Sequence, residues 1–400
     1  MSAPQSEPSE IHSPPEIDFE IVQRGLSHRL AQRLPVLSQS PVGRMTRIAT
    51  YVAVVWLPLA ILSWMSGHAY GPAVKNPFFF DIEVHVRLLI ALPLLLIADS
   101  IISLSLKVQA RHLLEIGILS ETDRPRYVAL EKQALALRDN STIEAALLAF
   151  SFLTSIYLRG VVGLSEGQSS WERLHGHITP AGCWQMLIGL PYLYFLLLRW
   201  LFVFLIWARF ILQVSRLELQ LAATHPDRTG GLGFLGWGLA CFSPVLSALS
   251  AVLSAGLASE IQQSGAKFGD IKHYVVAFVV ASVVALHLPL LGFFMQLARV
   301  RFKGLLEFGA LVWQHDRAFD KRWLTGRQGP PNHELLGSPD VQSMSAIATC
   351  YEHINDMWLI PFDSKAFAVL VGSALLPMVP LVGSAIPLKD IFSKLGELLI

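Results

Sequence analysis

WQMLIGLPYLYFLLLRWLFVFLIWARFILQ, residues 184–213, is the stretch of sequence that decides the fold. It has 30 residues, and its charged side chains are Arg199 and Arg209. A helix rises 1.5 Å per residue, so about 20 apolar residues cross the hydrocarbon core of a bilayer. The stretch is longer than one crossing requires. We therefore predict a membrane-spanning helix that leaves the bilayer at its C-terminal end.

Long apolar stretches recur throughout the chain. Of its 400 residues, 53% are hydrophobic and 15% are charged, whereas a soluble domain has about 25% charged residues. Mean hydropathy is +0.49. We predict an all-α polytopic transmembrane helix bundle with the lipid bilayer as its surroundings. Its apolar blocks are residues 45–65, 86–106, 143–162, 184–213, 232–256, 274–296 and 366–388.

The last apolar block differs from the first six. Three prolines interrupt it, namely Pro377, Pro380 and Pro387, and a proline removes a hydrogen-bond donor from a helix. The block is either a kinked span or a re-entrant hairpin, and the two alternatives put the C-terminus on opposite sides. The prediction is six firm spans plus one proline-broken segment.

The second, fourth and sixth helices are expected to extend into the cytoplasm. The fourth block runs on through residues 215–227, and the sixth runs on through 297–324. We therefore divide the chain into five regions. A disordered and amphipathic cytoplasmic region (1–44) precedes a six-helix transmembrane domain (45–298), which contains a cytoplasmic loop (107–142). A cytoplasmic helical region (299–365), the seventh segment (366–388) and an amphipathic tail (389–400) follow.

Lysine and arginine are distributed unevenly between the two sides. The N-terminal region to Arg47 holds five of them, and residues 107–138, 209–228 and 299–365 hold six, three and eight, which makes 22 on one side. The stretches between these regions hold six, apart from Arg199 inside the fourth block. Loops rich in these residues stay on the cytoplasmic side. We therefore predict a multi-pass protein of a bacterial inner membrane with a cytoplasmic N-terminus.

Three ionisable side chains lie inside apolar blocks: Asp99, Arg199 and His287. Such residues are costly in lipid and usually face the protein interior. Each lies 13 to 15 residues after the start of its block, which is roughly 20 Å, so the three could form one polar layer. One interpretation is an ion pair between Asp99 and Arg199 with His287 adjacent, which relays protons, binds a substrate or acts as a switch that titrates near neutral pH. In the structural alternative, Arg199 reaches the headgroups, Asp99 joins two helices and His287 bonds a carbonyl freed by Pro289.

The turn HPDRTGGLGF, residues 225–234, joins the fourth and fifth blocks. Pro226 interrupts the preceding helix, Asp227 or Thr229 can cap the next one, and the glycines permit a tight turn. Alternatively, the free N–H groups of the helix N-terminus bind an anion such as a lipid phosphate. The residues concerned are His225, Asp227, Arg228, Gly230, Gly231 and Gly233.

The fifth block carries a stripe of serines on one helical face: Ser243, Ser247, Ser250 and Ser254. Small residues at this spacing let helices approach closely in lipid. We expect close packing against another helix, with a hydrophilic pathway as the alternative.

Other kinds of chemistry have no signature in this sequence. Basic residues are scattered rather than clustered on one face, which argues against nucleic-acid binding. The three cysteines are far apart and have no metal-binding spacing. A GxGxxG pattern at 231–236 follows a helix instead of the strand that a dinucleotide site requires. We predict no cofactor, no metal and no nucleic-acid partner, and we regard an enzymatic role as uncertain.

Three stretches together resemble a group of uncharacterised bacterial multi-pass inner-membrane proteins. They are the turn HPDRTGGLGFL, residues 335–362 and the proline-broken block ALLPMVPLVGSAIPL. The resemblance covers mainly the C-terminal half. It implies a similar topology and supplies no activity, substrate or catalytic residue.

Three functions remain open. The first is a structural or regulatory membrane protein that engages a cytoplasmic partner or anionic lipid headgroups. The second is a transporter or channel for a small solute or ion, with a hydrated cavity at the polar layer. The third is a membrane-embedded enzyme, which ranks last because no catalytic motif is present.

Overall fold

The structure, a computed structural model, describes residues 41–72, 74–161, 170–264, 268–325 and 339–381. Seven helices in these ranges are long and apolar enough to cross a membrane. The prediction of an all-α polytopic helix bundle is confirmed. The predicted N-terminal region at 1–44 lies almost wholly outside the described residues, and the tail at 389–400 lies entirely outside them.

Ten helices and one short hairpin make up the described fold. The spanning helices are α1 (Pro41–Met65), α2 (Ile82–Glu115), α4 (Ser141–Ile156), α5 (Pro180–Val214), α6 (Gly233–Gln262), α7 (Phe268–His287) and α10 (Ser364–Leu381). The remaining helices are α3 (Arg124–Arg138), α8 (Phe294–Phe319) and α9 (Pro339–Asn355). Strands β1 (Arg173–Leu174) and β2 (His177–Ile178) pair antiparallel just before α5.

The predicted continuation of the fourth helix through residues 215–227 is wrong. Helix α5 ends at Val214, and the chain then turns across the end of the bundle. The side-chain nitrogen Nε2 of Gln296 donates to the carbonyls of Ser215 and Leu217, at 2.8 and 2.7 Å. These carbonyls are therefore satisfied from another helix rather than by a further turn of α5.

The continuation of the sixth helix is confirmed. A 3-10 turn at Leu288–Phe293, which contains Pro289, joins α7 to α8. Helix α9 then runs antiparallel to α8, since Gly304 of α8 lies beside Ile354 and His315 lies beside Ser343.

The bundle has two ends, which we call the proximal face, where α1 begins, and the distal face, where α1 ends. Charged helix α3 lies at the proximal face beside the last turns of α2 and α5. The hydroxyl of Tyr127 donates to the carbonyl of Ala110 at 2.8 Å, and its ring meets that of Phe210. Because α3 is polar, we expect the last turns of α2 and α5 beside it to extend beyond the apolar layer.

The last helix begins at the proximal face and rises towards the distal one. Its N-cap, Asp363, accepts from the N–H of Ala366 at 2.6 Å. At its far end, Leu381 packs in one cluster with Leu257 and Ile271, which lie near the distal ends of α6 and α7. These contacts favour a kinked span over a re-entrant hairpin, and residues 382–388 lie outside the described part.

Candidate functional site

The structure brings together two of the three predicted intramembrane polar residues. Nη2 of Arg199 in α5 donates to Oδ1 of Asp99 in α2 at 3.0 Å. The two side chains are only 18% and 23% exposed. Next to the pair, the indole of Trp200 donates to the carbonyl of Leu95 at 3.0 Å and joins the same two helices.

The ion pair lines an open groove between α1, α2 and α5. Three further polar side chains line it, namely Arg47, Tyr51 and Tyr192. The rings of the two tyrosines are 6.2 Å apart. The walls are apolar and consist of Ile48, Leu95, Leu96, Phe195 and Leu196. The groove thus combines an apolar lining with two guanidinium groups and one carboxylate.

The groove lies near the proximal edge of the apolar layer. The distal ends of the three helices lie 17 to 19 residues away from Arg47, Asp99 and Arg199. At 1.5 Å per residue, this distance is roughly 26 to 29 Å. The hydrocarbon core of a bilayer is about 30 Å thick. Charged groups at this depth can reach lipid headgroups.

His287 does not line this groove. It is the last residue of α7, and its ring packs against Phe362 and Phe367 near the start of α10. Its Nδ1 lies 2.8 Å from the carbonyl of Val283, one turn earlier in its own helix. The structure therefore joins Asp99 to Arg199 and places His287 at a different contact.

In the 225–234 turn, Asp227 binds three backbone N–H groups. Oδ1 accepts from Thr229 and Gly231 at 2.8 and 3.1 Å, and Oδ2 accepts from Gly233 at 2.8 Å. Burial alone would raise the pKa of Asp227, but these donors outweigh it and hold the pKa below its ordinary value. The carboxylate thus occupies the N–H groups that an external anion would need.

The rest of the turn joins separate parts of the proximal face. Gly230 and Gly231 have positive φ angles of 68° and 97°, a conformation that glycine adopts without strain. The carbonyl of Arg228 accepts from the N–H of Trp358 at 2.8 Å, and its guanidinium lies 3.6 Å from Asp356. His225 is about half exposed and lies 2.8 Å from Asp227. The turn is therefore a structural junction.

A charged cluster at the distal face was missed by the sequence reasoning. Arg159 pairs with Glu172 at 3.2 Å, Arg87 pairs with Glu83, and Asp81 accepts from the indole of Trp171 at 2.8 Å. In the sequence these residues look like ordinary charges next to apolar blocks. The available signal was that Arg87 and Arg159 fall within or beside such blocks on the side that is poor in basic residues.

Comparisons with protein-family models, with curated proteins and with solved structures give no match. The resemblance of the C-terminal stretches therefore stays a prediction.

Proposed function

We propose that this protein binds the headgroup of an acidic lipid in the groove between α1, α2 and α5, and that it has a structural or regulatory role in a bacterial inner membrane. The proximal face is the cytoplasmic one in this proposal. Lysine and arginine support that orientation, because 22 of them belong to regions on the proximal side and six to regions on the distal side.

The observation that carries the proposal is the charge of the groove. Among the described residues that line the groove, Arg47 and Arg199 stand beside one carboxylate, Asp99, so this described lining carries one positive charge in excess. Positive charge beside an apolar surface is costly unless an anion compensates it. An anion with hydrocarbon chains meets both requirements, because its headgroup neutralises the arginine and its chains cover the apolar walls.

The depth of the groove favours a lipid over a free anion. Lipid phosphates lie at the boundary of the hydrocarbon core, and basic side chains near an anionic leaflet contribute about 1 kcal/mol each. Arg47 is near the start of its helix, where that boundary is expected. Tyr51 and Tyr192 add hydroxyl groups that can bond phosphate oxygens.

The test is lipid retention by the full-length protein in nanodiscs of phosphatidylcholine with a minor share of phosphatidylglycerol. Native mass spectrometry counts the lipids that stay bound after release. Arg47→Gln and Arg199→Gln should each lower retention of phosphatidylglycerol about fivefold, the equivalent of about 1 kcal/mol. Arg209→Gln, an exposed change in the same helix as Arg199, is the matched control. Equal retention in all four proteins would refute the proposal, and competition by inorganic phosphate would identify a free-anion site.

A small-solute transporter is the second candidate. It is favoured by the 3-10 turn at Leu288–Phe293, which breaks the continuous helix between α7 and α8, since transporters bind substrates at helix breaks. A cysteine at position 99 or 199 that reacts with a water-soluble reagent from both faces would support this function instead.

A further inference from the structure

Helix α8 carries a stripe of large, exposed apolar side chains. At least 61% of each side chain is exposed among the described residues, and the four are Met295, Phe302, Leu306 and Trp313. Their spacings of seven, four and seven residues place them on one face of a helix. The opposite face is packed, since Leu297 is buried and Gly304 lies against Ala223 and Ile354. The stripe therefore points away from α9 and from the chain segment after α5.

The stripe extends beyond the part of the chain that crosses the membrane. Helix α7 has 20 residues, which is about 30 Å of helix and enough to cross the hydrocarbon core. Trp313 lies 26 residues after His287, the end of α7, so roughly 40 Å of helix separates the two. The lipid around α7 therefore does not account for the stripe. A row of exposed apolar side chains of this kind marks a binding surface.

Basic side chains follow one edge of the stripe. Arg299, Lys303 and Arg317 are exposed and lie roughly 40 to 80° around the helix from the stripe, all on the same side of it. Glu307 lies further round and pairs with Lys303 at 3.7 Å, and Asp316 lies on the other edge. Among the described residues of α8, the first edge is therefore basic. Such a surface fits a partner that is both apolar and acidic.

Residues 7–22, EPSEIHSPPEIDFEIV, have this complementary composition and lie outside the described part of the chain. They hold five acidic residues and no lysine or arginine. Acidic and apolar residues alternate within them, in the order Glu16, Ile17, Asp18, Phe19, Glu20 and Ile21. Alternate residues of an extended chain are about 6.7 Å apart, and residues four apart on a helix are about 6 Å apart. The spacing of this alternation therefore matches that of Phe302 and Leu306, and that of Arg299 and Lys303.

The N-terminal residues enter the bundle on the side where α8 begins. Helix α1 starts at Pro41 on the proximal face, and 19 peptide steps separate Val22 from Pro41. These steps span at most roughly 65 Å. Neighbouring helices pack 8–10 Å apart, so a seven-helix bundle is roughly 30 Å across. Residues 7–22 can therefore reach α8 of the same molecule.

We propose that residues 7–22 bind along the exposed stripe of α8 in the same molecule. The apolar residues of the alternation at 16–21 cover Phe302 and Leu306, and its acidic residues meet the basic edge of the helix. The contact is separate from the lipid groove between α1, α2 and α5, so either can fail without the other.

Photo-cross-linking of the full-length protein in nanodiscs that contain phosphatidylglycerol tests the contact. A diazirine amino acid replaces Ala310, which is exposed and lies between Leu306 and Trp313. Ala318 is also exposed, lies about 80° further round the helix, and is the matched control. Because an unbound tethered segment would react similarly with both positions, residues 7–22 should be captured about fivefold more at 310 than at 318. Mass spectrometry identifies the captured peptide.

Charge reversal separates a specific contact from proximity. Arg299→Glu combined with Lys303→Glu should lower capture of residues 7–22 at position 310 about fivefold, and Asp18→Lys combined with Glu20→Lys should do the same. The protein with all four changes should recover capture, because the facing charges are opposite again. Misfolding does not produce such a recovery.

Other products at position 310 would overturn the proposal. A phospholipid adduct would mean that the stripe lies on the membrane surface. Cross-links to another chain, recognised by mixing isotope-labelled and unlabelled protein, would mean that the stripe is an interface between copies. Absence of residues 7–22, or equal capture at 310 and 318, would reject the contact. Unchanged capture in both charge-reversed proteins would equally reject the match with Arg299 and Lys303.

Discussion

Nη2 of Arg199 lies 3.0 Å from Oδ1 of Asp99, although the two residues are 100 positions apart and belong to different helices. The contact has two consequences that can be separated. It joins α2 to α5, and it places a carboxylate where a lipid phosphate would bind in the proposed function. Asp99 is then the internal competitor of the ligand.

Replacing Asp99 by Asn should therefore strengthen acidic-lipid binding while it weakens the bundle. The amide keeps the shape of the side chain but removes the competing charge, so retention of phosphatidylglycerol should rise about fivefold. The thermal midpoint in detergent should fall, because Arg199 loses its charged partner. Asp316→Asn, an exposed change in α8, is the control. Lower lipid retention in Asp99→Asn would show that the pair organises the groove instead of competing for it.

Asp227 should be the most sensitive position of the 225–234 turn. Asp227→Ala leaves three N–H groups without their acceptor, and loss of a cap costs about 1 to 2 kcal/mol. Asp227→Asn should cost less, because its amide oxygen still accepts. The measurement is the free energy of unfolding in denaturant for both variants beside His225→Ala. If His225→Ala is as destabilising as Asp227→Ala, the contact between His225 and Asp227, rather than the three hydrogen bonds from the backbone, holds the turn.

The serine stripe of α6 should determine whether the last helix docks. Ser247 donates to the carbonyl of Ser373 at 3.2 Å, and fully buried Ser250 donates to that of Ala374. Ser250→Leu adds bulk where α10 packs, so it should lower the thermal midpoint and expose α10 to protease. Leu249→Phe adds bulk at a neighbouring position that is 37% exposed and should change neither. Equal effects of the two variants would argue against a specific α6–α10 contact.

Much of the fold could be predicted from the sequence, because the length of each apolar block and the uneven distribution of lysine and arginine between the two sides can be counted directly. The contact between Asp99 and Arg199 was foreseeable for the same reason, since each is an isolated charge in an apolar block and needs a partner. His287 shows the limit of this reasoning. Counting from block starts gives a depth along a helix, but it does not give the side of the helix that faces a given neighbour.

The end of α5 and the distal cluster depended on contacts that the sequence does not reveal. The carbonyls after Val214 are satisfied by Gln296, which is about 80 positions away. Glu172 meets Arg159 across a segment whose ends come together only in the fold. Long-range side-chain bonds of this kind override local helix propensity.

A buried acid in α3 gives the last prediction. Glu131 is 2% exposed, and its Oε2 has no hydrogen-bond partner among the described residues. Burial raises its pKa from 4.5 to about 7. Because the folded protein binds this proton more tightly than the unfolded chain, the associated stability is fully present below pH 4.5 and is lost as the pH rises through about 7.

Glu131→Gln should remove this loss. At pH 8 the variant should be more stable than the wild type by an amount on the order of 2 kcal/mol, and at pH 5 the difference should be several times smaller, since the folded wild-type acid is then protonated and only the unfolded chain has begun to ionise. Thermal unfolding in detergent at both pH values measures the effect. Glu121→Gln changes an exposed acid just before the same helix and should shift neither value. A Glu131→Gln variant that is destabilised equally at both pH values would show that the carboxyl is bonded in its charged form, and that α3 docks on α2 and α5 through it.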